Sequence, residues 1–295
     1  MSIKFRNYNP NEDYIRVSNF LKEIFDDYFK VRNWTQPRWE YMHHHPYIKN
    51  FDRKKIGIWE DNGEIVAVVH PEHKMGTVYF QIAPGYENLS EKMIKYAIEN
   101  LYRTGNNKKI LYVYTNQHQK TLIKNVKKYG FQKKEKYSES MSIFEMPEKF
   151  NISIPEEFEL ISLADENKLK KIEKVLWRGF NHGKIPEYNI EDRKFMQSAP
   201  NFRKDLNIVI KNSKGDYVSY SGIFYDEKNQ YSYVEPVATD PDYRRMGLGK
   251  TAVLECIRRT KKMGAKYAYV GTSMQFYLSF GFNPIYKIHA WKYNK

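Results

Sequence analysis

The chain has 295 residues, 41% hydrophobic and 16% aromatic, with 49 Lys and Arg against 35 Asp and Glu for a net charge of +14, which is ample material for one large domain or two ordinary ones. A single cysteine, Cys256, excludes an internal disulfide framework and implies a reduced, cytoplasmic setting, with Cys256 itself read as a core residue rather than a nucleophile. The opening MSIKFRNYNPNEDY has no secretory apolar stretch, and no apolar run approaches the roughly 20 residues of a membrane span, so the expectation is a soluble protein.

Taken in chain order, IKFRNY reads as a strand and EDYIRVSNFLKEIFDDYF as a helix. KIGIWEDNGEIVAVVHPEHKMGTVYFQIAPGY reads as three strands, with turns at Asp61-Asn62-Gly63 and Lys74-Met75-Gly76. A helix-period segment LSEKMIKYAIENLYR, a short strand KKILYVYT and a helix ending in Tyr-Gly-Phe follow. The same plan then recurs. EFELISL and ENKLKKIEKVLWRGF are strand and helix, and LNIVIKNSKGDYVSYSGIFYDEKNQYSYVEPVATDPDY is three strands turning at Ser213-Lys214-Gly215 and Asp226 to Asn229. KTAVLECIRRTKKMG, AKYAYVGT and YLSFGF complete it. Gly63 and Gly215 lie 152 positions apart, and Gly130 and Gly281 lie 151 apart. The halves are expected as 1–148 and 157–295, joined by a polar, proline-bearing linker at 149–156.

The charge excess raises nucleic acid as a partner. It is spread, however, at +6 over residues 1–148 and +8 over 149–295, and no zinc-ligand spacing or aromatic RNA-binding signature accompanies it. Nucleic acid is therefore not the expected partner. Solvated basic surface and a site for a polyanionic small molecule remain. His43, His44 and His45 are consecutive, so they cannot converge on one ion from one helix face, and no metal is expected; they are read as surface or cleft lining. Lys120, Lys124, Lys127 and Lys128 form a solvated helical stripe.

The chemistry concentrates at DPDYRRMGLGKTAVLE, where glycines and cations open a helix. A helix N-terminus offers unpartnered amides and the positive end of its dipole, which suits a phosphate. A nucleotide P-loop needs glycine at the place held by Arg244 and fails. Gly247, Gly249 and Ala252 match a dinucleotide fingerprint on paper, but no acidic residue follows Glu255 to hold a ribose, and only 46 residues remain after Gly249.

VATDPDYRRMGLGKTAVLE strongly resembles the acyl-CoA loop of the GNAT acetyltransferase superfamily, Arg/Gln-x-x-Gly-x-Gly/Ala, matched by Arg244 and Gly247-Leu248-Gly249. FYLSFGF resembles that family's second landmark, a tyrosine four residues before Gly-Phe, matched by Tyr277 and Gly281. The resemblance covers 157–295 well and extends weakly, through element order, over 1–148. It implies an α/β (mixed α+β) fold of two tandem GNAT-like units, each a central mixed, mostly antiparallel twisted sheet flanked by helices. It further implies an N-acetyltransferase that takes its acetyl group from acetyl-CoA. The acceptor is then a small-molecule or peptide amine attacking directly in a ternary complex.

Glycines at 247 and 249 would let backbone amides close on the pyrophosphate of coenzyme A, with Arg244, Arg245 and Lys250 supplying charge. Met246 and Leu248 lie between them, and the Thr251 hydroxyl is placed to reach a phosphate. Pro236 cannot donate to a ladder, so YVEPVATD must bulge there. The amides of Val237, Ala238 and Thr239 would then be released for the pantetheine or the oxyanion, which is how the family uses this strand. Glu235 is a candidate base, direct or through water, or else the partner of an arginine. Tyr277 matches the tyrosine that protonates the thiolate in many relatives, or else it packs beside Phe276 and Phe280. An asparagine often found seven residues earlier is Val270 here, with Thr272 or Ser273 as substitutes. The first half has IAPGYENLSEKM at its equivalent turn and Val126 where Tyr277 would be, so it reads as a degenerate copy that binds no acyl-CoA. A non-catalytic acyl-CoA sensor on the same scaffold is the alternative to an enzyme.

Overall fold

The computed structural model describes residues 3–26, 28–106, 108–186 and 189–293. They divide into two compact units, Met1–Met141 with Ile285–Lys295, and Ser142–Pro284.

The first unit runs β1 (Ile3–Asn7), α1 (Asp13–Glu23), α2 (Gln36–His44), β2 (Gly57–Asp61), β3 (Glu64–Glu72), β4 (Lys74–Ile82), α3 (Ser90–Asn100), a small hairpin of β5 (Arg103–Gly105) and β6 (Lys108–Ile110), β7 (Tyr112–Asn116), α4 (Lys120–Lys128), β8 (Phe131–Lys133) and the start of β9 (Glu139–Glu145). Its sheet follows the order β1-β2-β3-β4-β7, antiparallel except for β4 and β7. The β2–β3 hairpin turns on Asn62 (φ 52°) and Gly63 (φ 87°), the left-handed pair expected of a two-residue Asn-Gly loop. The next turn differs from expectation. It sits at His73 (φ 47°), and the Gly76 amide already bonds the Leu101 carbonyl within β4. KKILYVYT is likewise divided between β6 and β7. α3 and α4 close one face of the sheet, with Met93, Ile94, Leu122 and Val126 buried against Val69, Val78 and Val113.

The second unit holds β10 (Phe158–Ser162), α5 (Leu169–Gly179), α6 (Ile190–Gln197), β11 (Ile208–Asn212), β12 (Tyr217–Asp226), β13 (Tyr231–Thr239), α7 (Leu248–Lys262), β14 (Tyr267–Val270), the single turn α8 (Gln275–Leu278) and the start of β15 (Asn283–Tyr293). The sheet order is β10-β11-β12-β13-β14, with β13 and β14 parallel. Side chains alternate across a strand, and β11 shows the consequence. Ile208 and Ile210 meet α7 through Ala252, Val253, Cys256 and Ile257, while Val209 meets α5 through Ile172, Val175 and Leu176. Cys256 is fully buried, donates to the Ser221 carbonyl, and burial pushes its thiol up to about 12, as befits a core cysteine.

Two boundaries are corrected. Residues 149–156 are not a loose linker: Phe150, Ile152 and Ile154 pack on the core beneath α7, and the Ser153 carbonyl accepts from Thr251. The final strand also does not stay with the half that precedes it. β15 from Ile288 to Tyr293 pairs with β7 and β8 of the first unit, while Ser142 to Glu145 of β9 pair with β14 of the second. A period-two apolar pattern specifies which face of a strand is buried but not which strand lies beside it.

Candidate active site

The site is built on a defect in a ladder. Along β12 and β13 the register runs Ser219↔Thr239, Tyr220↔Ala238 and Ser221↔Val237, then resumes at Ile223↔Val234. Gly222 therefore faces two residues, Glu235 and Pro236, whose peptide is cis. A Cβ on Gly222 would stand 2.6 Å from the Glu235 carbonyl oxygen and 3.0 Å from Pro236 Cδ, so the bulge requires glycine at this point. β14 pairs only with Tyr231 to Tyr233, and past that point the other edge of β13 parts from it. The Asp240 amide bonds the Val218 carbonyl. Bonded pairs alternate in an antiparallel ladder, so Ala238 turns its amide toward β12, whereas Val237 and Thr239 turn theirs to the open edge. Of the three amides expected to be released, Ala238 is thus corrected. Its side chain is buried against α5.

β13 runs into the Gly-rich turn through a clamp that sequence reasoning missed. Arg178, near the end of α5, bonds Asp240 twice and Asp242 Oδ2 at 2.7 Å, and Asp240 Oδ1 accepts the Asp242 amide at 3.1 Å. Burial would raise the Asp240 carboxyl, but its bonds to Arg178 and to the Asp242 amide outweigh that and hold it below the usual range. α5 approaches closely because it ends in glycine: a Cβ on Gly179 would meet Ala238 Cβ at 2.6 Å. Arg244 is placed in the same frame, its guanidinium donating to the Thr239 carbonyl (3.2 Å), the Gly179 carbonyl (2.8 Å) and Asn181 Oδ1 (3.1 Å). It braces the turn against β13 and α5.

After Arg244 the backbone enters the left-handed region twice, at Arg245 (φ 66°) and Gly247 (φ 82°). For arginine this conformation is costly, and such outliers concentrate where backbone is shaped for a ligand. A Cβ on Gly247 would have nothing within 4 Å, so open space lies in front of it. The first bond of α7 joins the Thr251 amide to the Gly247 carbonyl, which leaves the Leu248, Gly249 and Lys250 amides ahead of the helical ladder. Gly249 has a different task. Its Cβ would meet Thr239 Oγ1 at 2.8 Å and Phe276 Cζ at 3.2 Å, so glycine lets the first turn of α7 rest on the end of β13. Arg245, Met246 and Lys250 are exposed around this turn, and Leu248 is buried beneath it. Thr251 is corrected: it is buried, its amide is spent on Gly247 and its hydroxyl donates to the Ser153 carbonyl at 2.7 Å, so neither group is available to a phosphate.

Tyr277 stands on α8, 8% exposed, with its ring 4.8 Å from Phe276 and 5.5 Å from Phe282. Burial first, and the Glu235 carboxylate second, raise its phenol well above the ordinary range. The structure therefore brings Glu235, at the bulge, within electrostatic range of Tyr277. The tyrosine is also packed among aromatics, and the two readings of it are compatible. Thr272, considered as a substitute for the missing asparagine, uses its hydroxyl to accept the Met274 amide at 3.2 Å ahead of α8.

The equivalent turn of the first unit contains Gly85 (φ 87°, also with nothing within 4 Å of a Cβ) but no paired cations; Glu91 there binds Lys128 and the Tyr129 hydroxyl. Val126 is buried. The histidine run is corrected in part. His43 is a core residue, 3% exposed, with Nδ1 at the Trp39 carbonyl and Nε2 at the Tyr8 hydroxyl, and burial lowers it to about 3. His44 Nδ1 meets the Glu40 carbonyl and His45 Nδ1 accepts the Tyr47 amide, so the three rings face different partners.

Comparison with known proteins agrees with this geometry. Residues 169–282 match the acetyltransferase (GNAT) family model. No curated protein sequence matches the chain. Among solved structures, a GCN5-related N-acetyltransferase from Sphaerobacter thermophilus superposes with a TM-score of 0.64 at 10% identity, covering 99% of this chain and 95% of that one. A tandem GNAT protein from the clavulanic acid biosynthesis pathway gives 0.64 at 10% identity, covering 99% and 98%. Saccharomyces cerevisiae N-myristoyltransferase gives 0.56 at 12% identity, covering 99% and 80%. Likeness at such identities speaks for the fold alone. Residues 169–282 are thus a domain of the acetyltransferase (GNAT) family, and the chain as a whole has the fold of a tandem GNAT protein.

Proposed function

We propose that the second unit transfers an acetyl group from acetyl-CoA to the primary amine of a small molecule or peptide, by direct attack in a ternary complex. The observation that carries this reading is the pairing of a bulged, half-open β13 with the open first turn of α7. Val237 and Thr239 present amides to an extended pantetheine arm or to the developing oxyanion. The amides after Gly247, with Arg245 and Lys250 nearby, meet the pyrophosphate. Met246 lies along the same turn. Arg244 contributes by holding that turn in shape, and its charge adds to the local field.

An amine of ordinary pKa, about 10.4 for a lysine-like group, must lose a proton to attack. Glu235, directly or through a water, takes it. The amine nitrogen bonds the thioester carbonyl carbon, the carbon–sulfur bond breaks, and Tyr277 gives its proton to the departing thiolate. A phenol held above its ordinary range is fully protonated at neutral pH, as a proton donor must be.

The decisive experiment follows free-thiol release from acetyl-CoA with a panel of small amines, polyamines, amino acids and peptide N-termini. Amine-dependent release is expected. Tight acetyl-CoA binding with no release against any amine would mean a sensor rather than an enzyme, and no binding would remove the reading altogether. No helix among the described residues is long and apolar enough to cross a membrane.

A further inference from the structure

The residue before Tyr277 is an aromatic that the fold does not hide. Phe276 is 38% exposed and stands where α8, the start of α7 and the end of β13 meet. A Cβ on Gly249, in the first turn of α7, would lie 3.2 Å from Phe276 Cζ, 3.3 Å from its Cε2 and 2.8 Å from Thr239 Oγ1. The ring edge and the end of β13 thus flank one point at the start of α7. A chain leaving the amides of that turn for the bulge at Glu235 would follow the open edge of β13 past Thr239, and so pass the Phe276 ring. The ring is also held in place. It meets Tyr277 at 4.8 Å and Phe280 at 5.2 Å, both edge-on at 75°. Its carbonyl accepts the Ser279 hydroxyl at 2.7 Å, and the segment entering α8 is tied down where the Ser142 hydroxyl donates to the Thr272 carbonyl at 2.7 Å.

Packing alone does not call for an exposed aromatic at this joint. In the first unit the residue five before Gly130, as Phe276 is five before Gly281, is Asn125. Its amide donates to the Ser90 hydroxyl, on the first residue of α3, at 2.8 Å. A side-chain hydrogen bond therefore closes the same joint in the unit whose turn carries no paired cations. The second unit uses a phenylalanine instead and leaves much of its ring in water, with Met246 exposed on the adjoining turn. Apolar surface gathered at one such place marks a binding face.

We propose that Phe276 is the apolar wall for the first part of the pantetheine arm of coenzyme A, and so a residue that distinguishes the coenzyme from a bare phosphorylated nucleotide. The inference rests on the reading of the second unit as an acyl-CoA site. Next to its pyrophosphate the arm begins with a carbon bearing two methyl groups, and its amides come later. The amides suit the open edge of β13. The methyl groups can make no hydrogen bond there, and apolar surface beside the phosphate turn is what removes them from water. Phe276 is placed for that part of the arm because it touches the start of α7, where the pyrophosphate is proposed to lie, rather than the bulge.

The test is calorimetric titration of the full chain with coenzyme A and with 3′-phosphoadenosine 5′-diphosphate, which is the coenzyme without its arm. Wild type is expected to bind coenzyme A more tightly. Phe276→Ala should weaken coenzyme A about tenfold, the equivalent of losing roughly 50–60 Å² of apolar contact, while nucleotide affinity changes by less than about twofold. Phe276→Leu keeps an apolar wall and should stay within about threefold of wild type. Cooperative melting without ligand shows that each variant is folded. Should Phe276→Ala not fold, Phe276→Gln, which keeps reach but not apolar surface, takes its place. Coenzyme A bound by Phe276→Ala as tightly as by wild type overturns the proposal. So does an equal loss for the nucleotide, or an equal loss in Phe276→Leu. Those results leave the acyl-transfer reading standing, whereas failure of the wild-type chain to bind coenzyme A removes both.

Discussion

Gly247 and Gly85 make a matched pair, and replacing each by alanine separates ligand binding from backbone cost. Both lie in the turn between a sheet strand and a helix, at φ 82° and 87°, and a Cβ at either would have nothing within 4 Å. The intrinsic penalty is therefore the same. Holding a non-glycine residue in the left-handed region costs about 1–2 kcal/mol, partly offset by the stiffer unfolded chain, about 0.4–1 kcal/mol. A net loss of about 1 kcal/mol lowers the melting temperature by roughly 2–4 °C in a chain of this size. The variants should differ only in their response to acetyl-CoA. At 100 times its dissociation constant a ligand adds about 2.7 kcal/mol. A methyl at Gly247 takes up part of the open space beside the turn, where the pyrophosphate is proposed to lie; a tenfold loss of affinity reduces the gain at the same concentration to about 1.4 kcal/mol. Gly85→Ala should keep the full response. Melting curves with and without acetyl-CoA decide the matter: an undiminished shift in Gly247→Ala, or an equal loss in Gly85→Ala, would refute the assignment of the phosphate turn.

Tyr277→Phe keeps the ring contacts to Phe276, Phe280 and Phe282. Acetyl-CoA affinity should therefore be nearly unchanged while turnover falls about a hundredfold or more; full activity would return the residue to a purely packing role. Because the phenol is raised above its ordinary value, wild-type turnover should show no alkaline decline belonging to Tyr277 up to about pH 10, and a fall near pH 8 or below would exclude it as the acid. Calorimetry should count one coenzyme A per chain, since the first unit's turn carries Glu87 and Glu91 where the second carries Arg244, Arg245 and Lys250. Two equivalent sites would overturn that asymmetry.

Features with local causes were legible in the sequence. Gly247 is needed because the turn passes through left-handed backbone, and Pro236 announces a bulge because it has no amide to donate. What depends on distant partners was not. Whether Ala238 or its neighbours face the open edge follows from the register with β12. Thr251 looked available until its hydroxyl met a carbonyl 98 positions away. Arg178 reads as one more basic residue on an amphipathic helix, and only the approach of α5 turns it into the clamp on Asp240. The last strand is the strongest case, because HAWKY is compatible with either sheet. Its assignment can be tested at Trp291, which is buried in the first unit's core and donates Nε1–H to Thr115 Oγ1 at 2.9 Å, opposite Val113 in β7 and Lys133 in β8. Trp291→Ala removes a large buried ring and leaves the Thr115 hydroxyl without that donor, a loss of about 3–5 kcal/mol. Hydrogen exchange followed by mass spectrometry should then show β7 and β8 losing protection. If their protection is unchanged, β15 does not hold the first sheet together, and its place beside β7 is wrong.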